Sequence, residues 1–399
     1  MKTVITTVGT SLFTNYLKEK NDIRDHYKSI KDKIAADYER CKGRIDRLRP
    51  AIMDFLKKNN NDASAEIKSI LKLKDELKDD IEVRLIASDS LESIVAAEIL
   101  TKNKFTEGIN ISFNKETDVI KGLQVVDPKN FAREGMTNLI NRVYSIANGY
   151  FGNMILNMTG GFKATVPFLT IFGQVNNIPL YYIFEKTETL IKIPQVPINI
   201  DWKIFDNNSD LFSQIEREGL KEIPHFDNPQ IEAILERIDS LICFNPLGVI
   251  LWERYKTRYE LFYLINETKK RFEKLTDADR KTIRKSFLEL SKRLCSNPAD
   301  RDLKHSLTNC NLPDGFYCFR HKEDDKQVRI LWHKEDRTTT YDFQTCDIYI
   351  ASFWLGKEVH NAEAEYVDEI NRFSQEYSNL MNKLNEFKTI SIEKEVTHV

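Results

Sequence analysis

LNMTGGFKATVPF, residues 156–168, joins an apolar run to a helical one through two adjacent glycines and a lysine. MILNMT (154–159) predicts a buried strand, and residues 161–176 predict a helix. A strand that ends in Thr159-Gly160-Gly161 and turns at once into a helix carrying Lys163 has the makings of an anion site. Glycines let backbone N–H groups come close, a hydroxyl adds a donor, and the helix N-terminus favours negative charge. The same two glycines also suit a plain tight turn, so this stretch alone leaves both readings open.

Upstream, residues 2–9 form a β-branched run that ends in Gly9-Thr10-Ser11. Charged helical periodicity then runs from about residue 13 to 80, with Ile30, Ile34, Tyr38, Cys41, Ile45 and Leu48 at helical spacing. Two or three helices inserted after the first strand fit this best. IEVRLIAS (81–88) predicts a strand, Asp89 an N-cap, and residues 91–101 a helix. INISF (109–113) and VIKGLQVV (119–126) predict strands, 130–148 a helix, and PLYYIF (179–184) and 189–194 the last strands. Strands alternating with helices predict an α/β fold, a Rossmann-like domain with a largely parallel sheet over residues 1–195.

Past Pro194 and Pro197 the alternation stops, and 196–264 reads as a helical linker region. Residues 251–293 hold 13 Lys and Arg against 7 Asp and Glu. From Pro313 the period switches to two in FYCFRHK (316–322), QVRILWHK (327–334), TTTYDF (338–343) and CDIYIASFW (346–354). These predict a four-stranded antiparallel sheet, with helices packed on it, in an α+β domain over 265–399 that closes with a helical stretch, 361–388.

The chain has 399 residues, 41% apolar and 30% charged, with a net charge of −2. That length predicts two or three domains, and the charge balance makes any nucleic-acid site a local one. Six cysteines (41, 243, 295, 310, 318, 346) form no CxxC pair, so neither a zinc site nor a disulfide framework is expected and a reducing cytoplasm is the default. No segment approaches the roughly 18 apolar residues that span a bilayer, and the start of the chain lacks the apolar stretch of a signal peptide. No metal or resident cofactor is expected. No GxGxxG and no GxxxxGK-Ser/Thr occurs, which leaves dinucleotide and P-loop readings weak.

Three strand ends are short and polar: Gly9-Thr10-Ser11, Ser88-Asp89-Ser90 and Thr159-Gly160-Gly161 with Lys163. In an open parallel sheet such ends are where ligands bind. Taken together, VGTSLFTNY (8–16), IASDSLES (86–93) and NMTGGFKATVPF (157–168) resemble the CARF (CRISPR-associated Rossmann fold) sensor family over roughly residues 1–195. The resemblance implies a homodimer that binds a cyclic oligoadenylate across its two-fold axis, with cyclic tetra-adenylate the expected activator. It carries ligand binding onto Gly9, Thr10, Ser11, Leu12, Ser88, Asp89, Thr159, Gly160, Gly161, Phe162 and Lys163. Some domains of this kind cut their own ligand, and Thr10, Ser11 and Lys163 are placed for that.

In the C-terminal part, Arg320 and Lys322 lie two apart on one strand and share a face, and Arg329 begins the polar side of the next. Three cations on one sheet face suit a scissile phosphate, although charge runs also form solvated faces. The helices ending at Asn297-Pro298, the connection DLKHSLTNCNLPDG and the sheet that follows resemble RelE-type mRNA interferase toxins over about residues 265–375. That resemblance places Arg320, Lys322 and Arg329 on the active face and matches LGK (355–357) to a Gly-Lys turn. Glu358 departs from the family pattern and Tyr366 lies slightly further on than its tyrosine, so His360 or His333 takes a basic role beside Lys357. The implied reaction is metal-independent attack of an RNA 2′-hydroxyl on the adjacent phosphate, in mRNA and with the ribosome as partner. The joint expectation is a ligand-activated endoribonuclease of CRISPR antiviral defence. The alternatives are a sensor joined to another RNA-cutting module, disfavoured by the Arg–His spacings at Arg301/His305 and Arg329/His333, and a ligand-responsive transcription factor binding DNA through basic helices in 251–293.

Overall fold

The structure is a computed structural model that describes residues 1–103, 107–124, 127–184, 189–220, 229–238, 240–307, 310–337, 346–356, 363–376 and 380–394. The chain divides into two compact units. One comprises Met1–Ile200 with His225–Arg237 and Phe244–Arg254; the other comprises Asp201–Pro224, Ile238–Cys243 and Tyr255–Val399. Residues 196–264, read as a helical linker, are thus shared between the two.

The first unit is built on a seven-stranded sheet. Its strands are β1 (Lys2–Val8), β2 (Ile81–Ser88), β3 (Ile109–Ser112), β4 (Val119–Ile120), β5 (Met154–Asn157), β6 (Leu180–Ile183) and β7 (Leu190–Ile193). The order is β3-β2-β1-β5-β6-β7, with β4 also paired to β2. All pairs are parallel except β6–β7. Central parallel strands are covered on both faces, which is why all four residues of β5 are buried. The expected strand over 119–126 is reduced to Val119–Ile120, because Gly122 turns the chain at φ +79°.

The connection from β1 to β2 carries helices Ser11–Glu19, Tyr38–Asn59 and Ala65–Leu77, with shorter helical turns between them. Cys41, Ile45, Leu48, Ile52, Phe55 and Leu56 bury one stripe of the helix Tyr38–Asn59 in the core it shares with the helices Ser11–Glu19 and Leu91–Lys102. From β1 the chain winds outward through β2 to β3, then returns to lay β5 and β6 on the opposite side. The switch point of the sheet therefore lies between β1 and β5, and it is there that Gly9-Thr10-Ser11 and Thr159-Gly160-Gly161 emerge side by side.

The second unit carries a five-stranded mixed sheet, not the expected four-stranded antiparallel one. Its strands are β8 (Tyr259–Leu264), β9 (Tyr317–Glu323), β10 (Lys326–Asp336), β11 (Cys346–Gly356) and β12 (Lys388–Glu393), in the order β9-β10-β11-β8-β12. The β8–β11 pair is parallel and the other pairs are antiparallel. Two of these strands escaped the pattern for physical reasons. β8 is buried on both faces, so ELFYL shows no alternation and blends into the flanking helical text. β12 follows only seven 3-10 residues (Leu380–Glu386), where the expected helix 361–388 in fact stops at Glu376 before a final strand. The expected strand TTTYDF (338–343) lies outside the described residues.

One face of this sheet presents Phe262, Leu264, Phe319, Val328, Ile330, Trp332, Ile348, Ile350 and Phe353 to Phe272, Ile283, Phe287 and Leu290 of helices Asn266–Glu273 and Asp277–Ser296. The other face carries Tyr263, Leu331, Tyr349 and Ala351 and packs on Leu380, Leu384 and Phe387. No helix among the described residues is long and apolar enough to cross a membrane.

Candidate functional site

At the switch point of the first sheet lies a cleft of about 680 Å³. The loop after β1 supplies Gly9, Thr10 and Ser11; the loop after β5 supplies Thr159, Gly160, Gly161 and Lys163. Helix Ser11–Glu19 adds Thr14, Asn15 and Lys18, and the start of helix Ala65–Leu77 adds Ser64, Ala65, Glu66 and Lys68. Three lysines thus face two carboxylates, Asp62 and Glu66, and the Lys68 Nζ–Asp62 Oδ1 pair closes at 3.0 Å.

The two glycine loops are held by short polar ties. Thr7 Oγ1 donates to the Gly160 carbonyl at 2.6 Å. Thr159 Oγ1 donates to Asn157 Oδ1 at 2.8 Å and accepts from the Ile183 N–H at 3.1 Å. Buried Asn157 in turn donates to Ser69 Oγ at 2.7 Å, so the floor of the cleft is tied to the inserted helix.

Of the residues expected to bind ligand, seven line this cleft: Gly9, Thr10, Ser11, Thr159, Gly160, Gly161 and Lys163. Four do not. Leu12 is buried in the core, as the amphipathic helix it opens requires. Ser88 is buried, and its N–H donates to Ser93 Oγ at 3.0 Å. Asp89 is not the N-cap; Ser90 is, accepting from the Ser93 N–H at 3.3 Å. The Asp89 carboxylate instead accepts from the N–H groups of Ala35 and Gly122, both at 3.0 Å, and so pins the insertion to the turn after β4. Phe162 packs edge-on against Phe131.

The residue that sequence reasoning missed is Glu66. It is 1% exposed, yet it reaches the glycine loops from an insertion that reads as surface helix. Gly9 N–H donates to its Oε1 at 2.8 Å and Ser11 Oγ donates to its Oε2 at 2.5 Å, while Ala65 N–H donates to Ser11 Oγ at 3.0 Å. A Cβ on Gly160 would run into Glu66 Oε1 and would stand 2.5 Å from the Thr7 carbonyl oxygen. Gly161 holds φ +82°. The glycine pair is therefore shaped first by the protein's own carboxylate and backbone. Gly160→Ala is expected to destabilise the protein by roughly 1–3 kcal/mol through overpacking. Gly43→Ala, in a helix interior with open space around it, is expected to stabilise by about 0.5–1 kcal/mol; urea denaturation of the two variants checks the opposite signs.

In the second unit, β9 and β10 bring Arg320 directly opposite Arg329, and Lys322 opposite Gln327, while Trp354 of β11 faces Arg329 on its other side. Arg320 is already committed, with Nη2 2.7 Å from Asp302 Oδ1 and Nε donating to the same oxygen at 2.8 Å. Lys322 is exposed. Arg329 is 1% exposed. Its Nη1 donates to the Val328 carbonyl at 3.1 Å, and its Nε, wholly buried, has no hydrogen-bond partner among the described residues. It forms no ion pair among the described residues. Nearby, burial pushes the Cys318 thiol up to about 12 against the opposing pull of Arg329, so this cysteine is no nucleophile at neutral pH.

His333 lies on the same face of β10, four positions on, its ring tilted against those of Phe316 and Tyr349. With its Nδ1 2.7 Å from the Gly315 carbonyl, that nitrogen carries the proton in the neutral ring, and the lone pair of buried Nε2 has no hydrogen-bond partner among the described residues. Helix Glu363–Glu376 sits beside this face. Val367 and Ile370 pack with Trp354, Leu307, Cys310 and Leu312, and Ser374 Oγ donates to the Asn311 carbonyl at 2.6 Å. Lys357 and His360 lie outside the described residues, as does the side chain of Tyr366, whose backbone belongs to this helix.

The basic segment 251–293 is not a run of helices alone, since β8 lies within it. Much of its charge is used internally: Lys256 pairs with Glu216 at 2.5 Å, Lys285 with Glu323 at 2.5 Å and Arg293 with Glu289 at 2.7 Å. The helices Asn266–Glu273 and Asp277–Ser296 also spend their apolar faces on the sheet. A DNA-reading helix pair is accordingly not favoured.

Residues 61–196 match the family model described as CRISPR-associated protein (Cas_APE2256), a family of the CARF type. The matched region contains Glu66, β2 to β7 and the whole Thr159–Lys163 loop. The match ends before the second unit, whose reading rests on its own geometry.

Proposed function

We propose that the protein is a nucleotide-gated endoribonuclease of CRISPR defence, with cyclic oligoadenylate as the gating ligand and cyclic tetra-adenylate its expected form. The observation that carries this reading is the cleft at the β1–β5 switch point, one wall of which, Glu66 with the Thr159–Lys163 loop, lies inside the region matched to the CRISPR-associated family while Gly9–Ser11 precede it. Glycine loops, a helix start and three lysines converge there, which suits a ligand of several phosphates. A ring with two-fold symmetry fits an isologous homodimer, in which each copy presents the same cleft to half of the ring.

The second unit supports the cutting role through Arg329. A buried guanidinium without a counter-ion is costly to keep, and a site for a phosphodiester explains why it is kept. In the proposed reaction the RNA 2′-oxygen loses its proton to a base and attacks the adjacent phosphorus. The P–O5′ bond breaks, the 5′-oxygen takes up a proton, and a 2′,3′-cyclic phosphate remains. His333, with its lone pair on Nε2, serves as the base; Arg329 and Arg320 stabilise the charge growing on phosphorus, and Lys322 sits at the open end of the same face. Lys357, His360 and Tyr366 remain assigned to this site by resemblance to the RelE-type toxins. With Arg329 covered, the described form is the resting one, and ligand binding must expose it.

The substrate is proposed to be mRNA in the cytoplasm, positioned by the ribosome. End analysis of the RNA products tests the chemistry: a 5′-hydroxyl and a 2′,3′-cyclic phosphate are expected, and a 5′-phosphate would refute the mechanism.

A further inference from the structure

The donors that the glycine loops offer to a phosphate are not idle. Gly9 N–H and the Ser11 hydroxyl both end on the Glu66 carboxylate, at 2.8 and 2.5 Å, and Ala65 N–H ends on Ser11 Oγ at 3.0 Å. Glu66 is 1% exposed, and the two groups that donate to it, Gly9 N–H and Ser11 Oγ, are neutral rather than a lysine or arginine. Gly160 leaves room for this carboxylate where any side chain would strike it. A buried carboxylate with no ion pair among the described residues, seated on a backbone N–H and a hydroxyl beside a helix start, occupies the position an incoming anion would take.

We propose that Glu66 is a built-in occupant of the anion nest, and that the cleft exchanges this carboxylate for a phosphate of its ligand. The inference rests on the proposed ligand class only for the identity of the phosphate donor; the exchange itself concerns any anion that reaches the nest. Glu66 then has two consequences. In the resting protein it holds the loops after β1 and β5 and the start of helix Ala65–Leu77 in one arrangement. On ligand binding its departure frees that helix start to move, so that the occupancy of the cleft is coupled to the position of the insertion. It also sets a threshold. A single weak anion does not displace a tethered carboxylate whose effective concentration is high, whereas a ligand that brings several phosphates to Lys18, Lys68 and Lys163 at once does so.

The test is calorimetric titration of the wild-type protein and of Glu66→Gln, with cyclic tetra-adenylate and, separately, with inorganic pyrophosphate. Glutamine keeps the shape and one acceptor but removes the charge. Tighter binding of cyclic tetra-adenylate by about tenfold or more is expected for the variant, as loss of a like charge within a few ångströms predicts. A gain of pyrophosphate binding that the wild type lacks is also expected. If neither form binds cyclic tetra-adenylate while the variant gains pyrophosphate, the exchange stands and the ligand assignment fails. If the variant binds both probes no better than wild type, Glu66 is a clamp and the proposal is overturned. A crystal structure of the wild-type complex gives the same answer without a variant: Gly9 N–H on a ligand phosphate supports the exchange, and Gly9 N–H still on Glu66 overturns it.

Discussion

Arg329→Met should abolish RNA cleavage while leaving the protein at least as stable as wild type. The expected loss is about 10²–10³-fold in kcat, the usual effect of removing one donor aimed at developing charge. The stability half of the prediction separates this role from a structural one. Arg329 is 1% exposed, forms no ion pair among the described residues and leaves Nε unsatisfied. Replacing such a group by an apolar side chain of similar length removes a desolvation cost and fills the same space. An arginine kept for the fold would show the reverse, with lower stability and activity lost only in proportion to unfolding. Thermal denaturation and single-turnover cleavage on the same preparation distinguish the two cases.

Lys163→Ala should weaken cyclic tetra-adenylate binding steeply without disturbing the fold. Lys163 is exposed on the turn that opens helix Val166–Val175, and it lines the cleft. A charge-assisted contact to a phosphate contributes about 1.5–3 kcal/mol, and in a symmetric dimer one ring meets two copies of the residue. A loss of roughly two orders of magnitude or more follows. The residual affinity should depend less on salt than that of the wild type. Unchanged affinity measured by calorimetry would remove the cleft from the account.

The strand-to-helix turn at 156–168 was legible because its chemistry is local. A buried strand, a left-handed glycine and a helix start follow one another within a few residues, and the loop after β1 repeats the theme. What completes the site was not legible. Glu66 follows Ser11 by 55 residues, in text whose periodicity reads as charged surface helix, and only the tertiary fold turns that helix start inward. Asp89 shows the converse. It stands at a polar strand end like the other two, but its carboxylate is consumed by Ala35 and Gly122, contacts that only the fold reveals. In the second unit, alternation marked β9, β10 and β11 because each interleaves apolar with polar or charged residues along the strand. It failed for β8, which is covered on both faces and shows no period of two. The burial of Arg329 was equally hidden, since a strand pattern places a side chain on a face without saying what covers that face.

The most direct test of the central claim is RNA cleavage by the purified full chain, with and without cyclic tetra-adenylate, on free mRNA and on ribosome-bound mRNA. Negligible cleavage is expected without the ligand and robust cleavage with it, strongest on ribosome-bound message and lost in Arg329→Met. Cleavage at the same rate with and without ligand, or none under any of the four conditions, would contradict that claim.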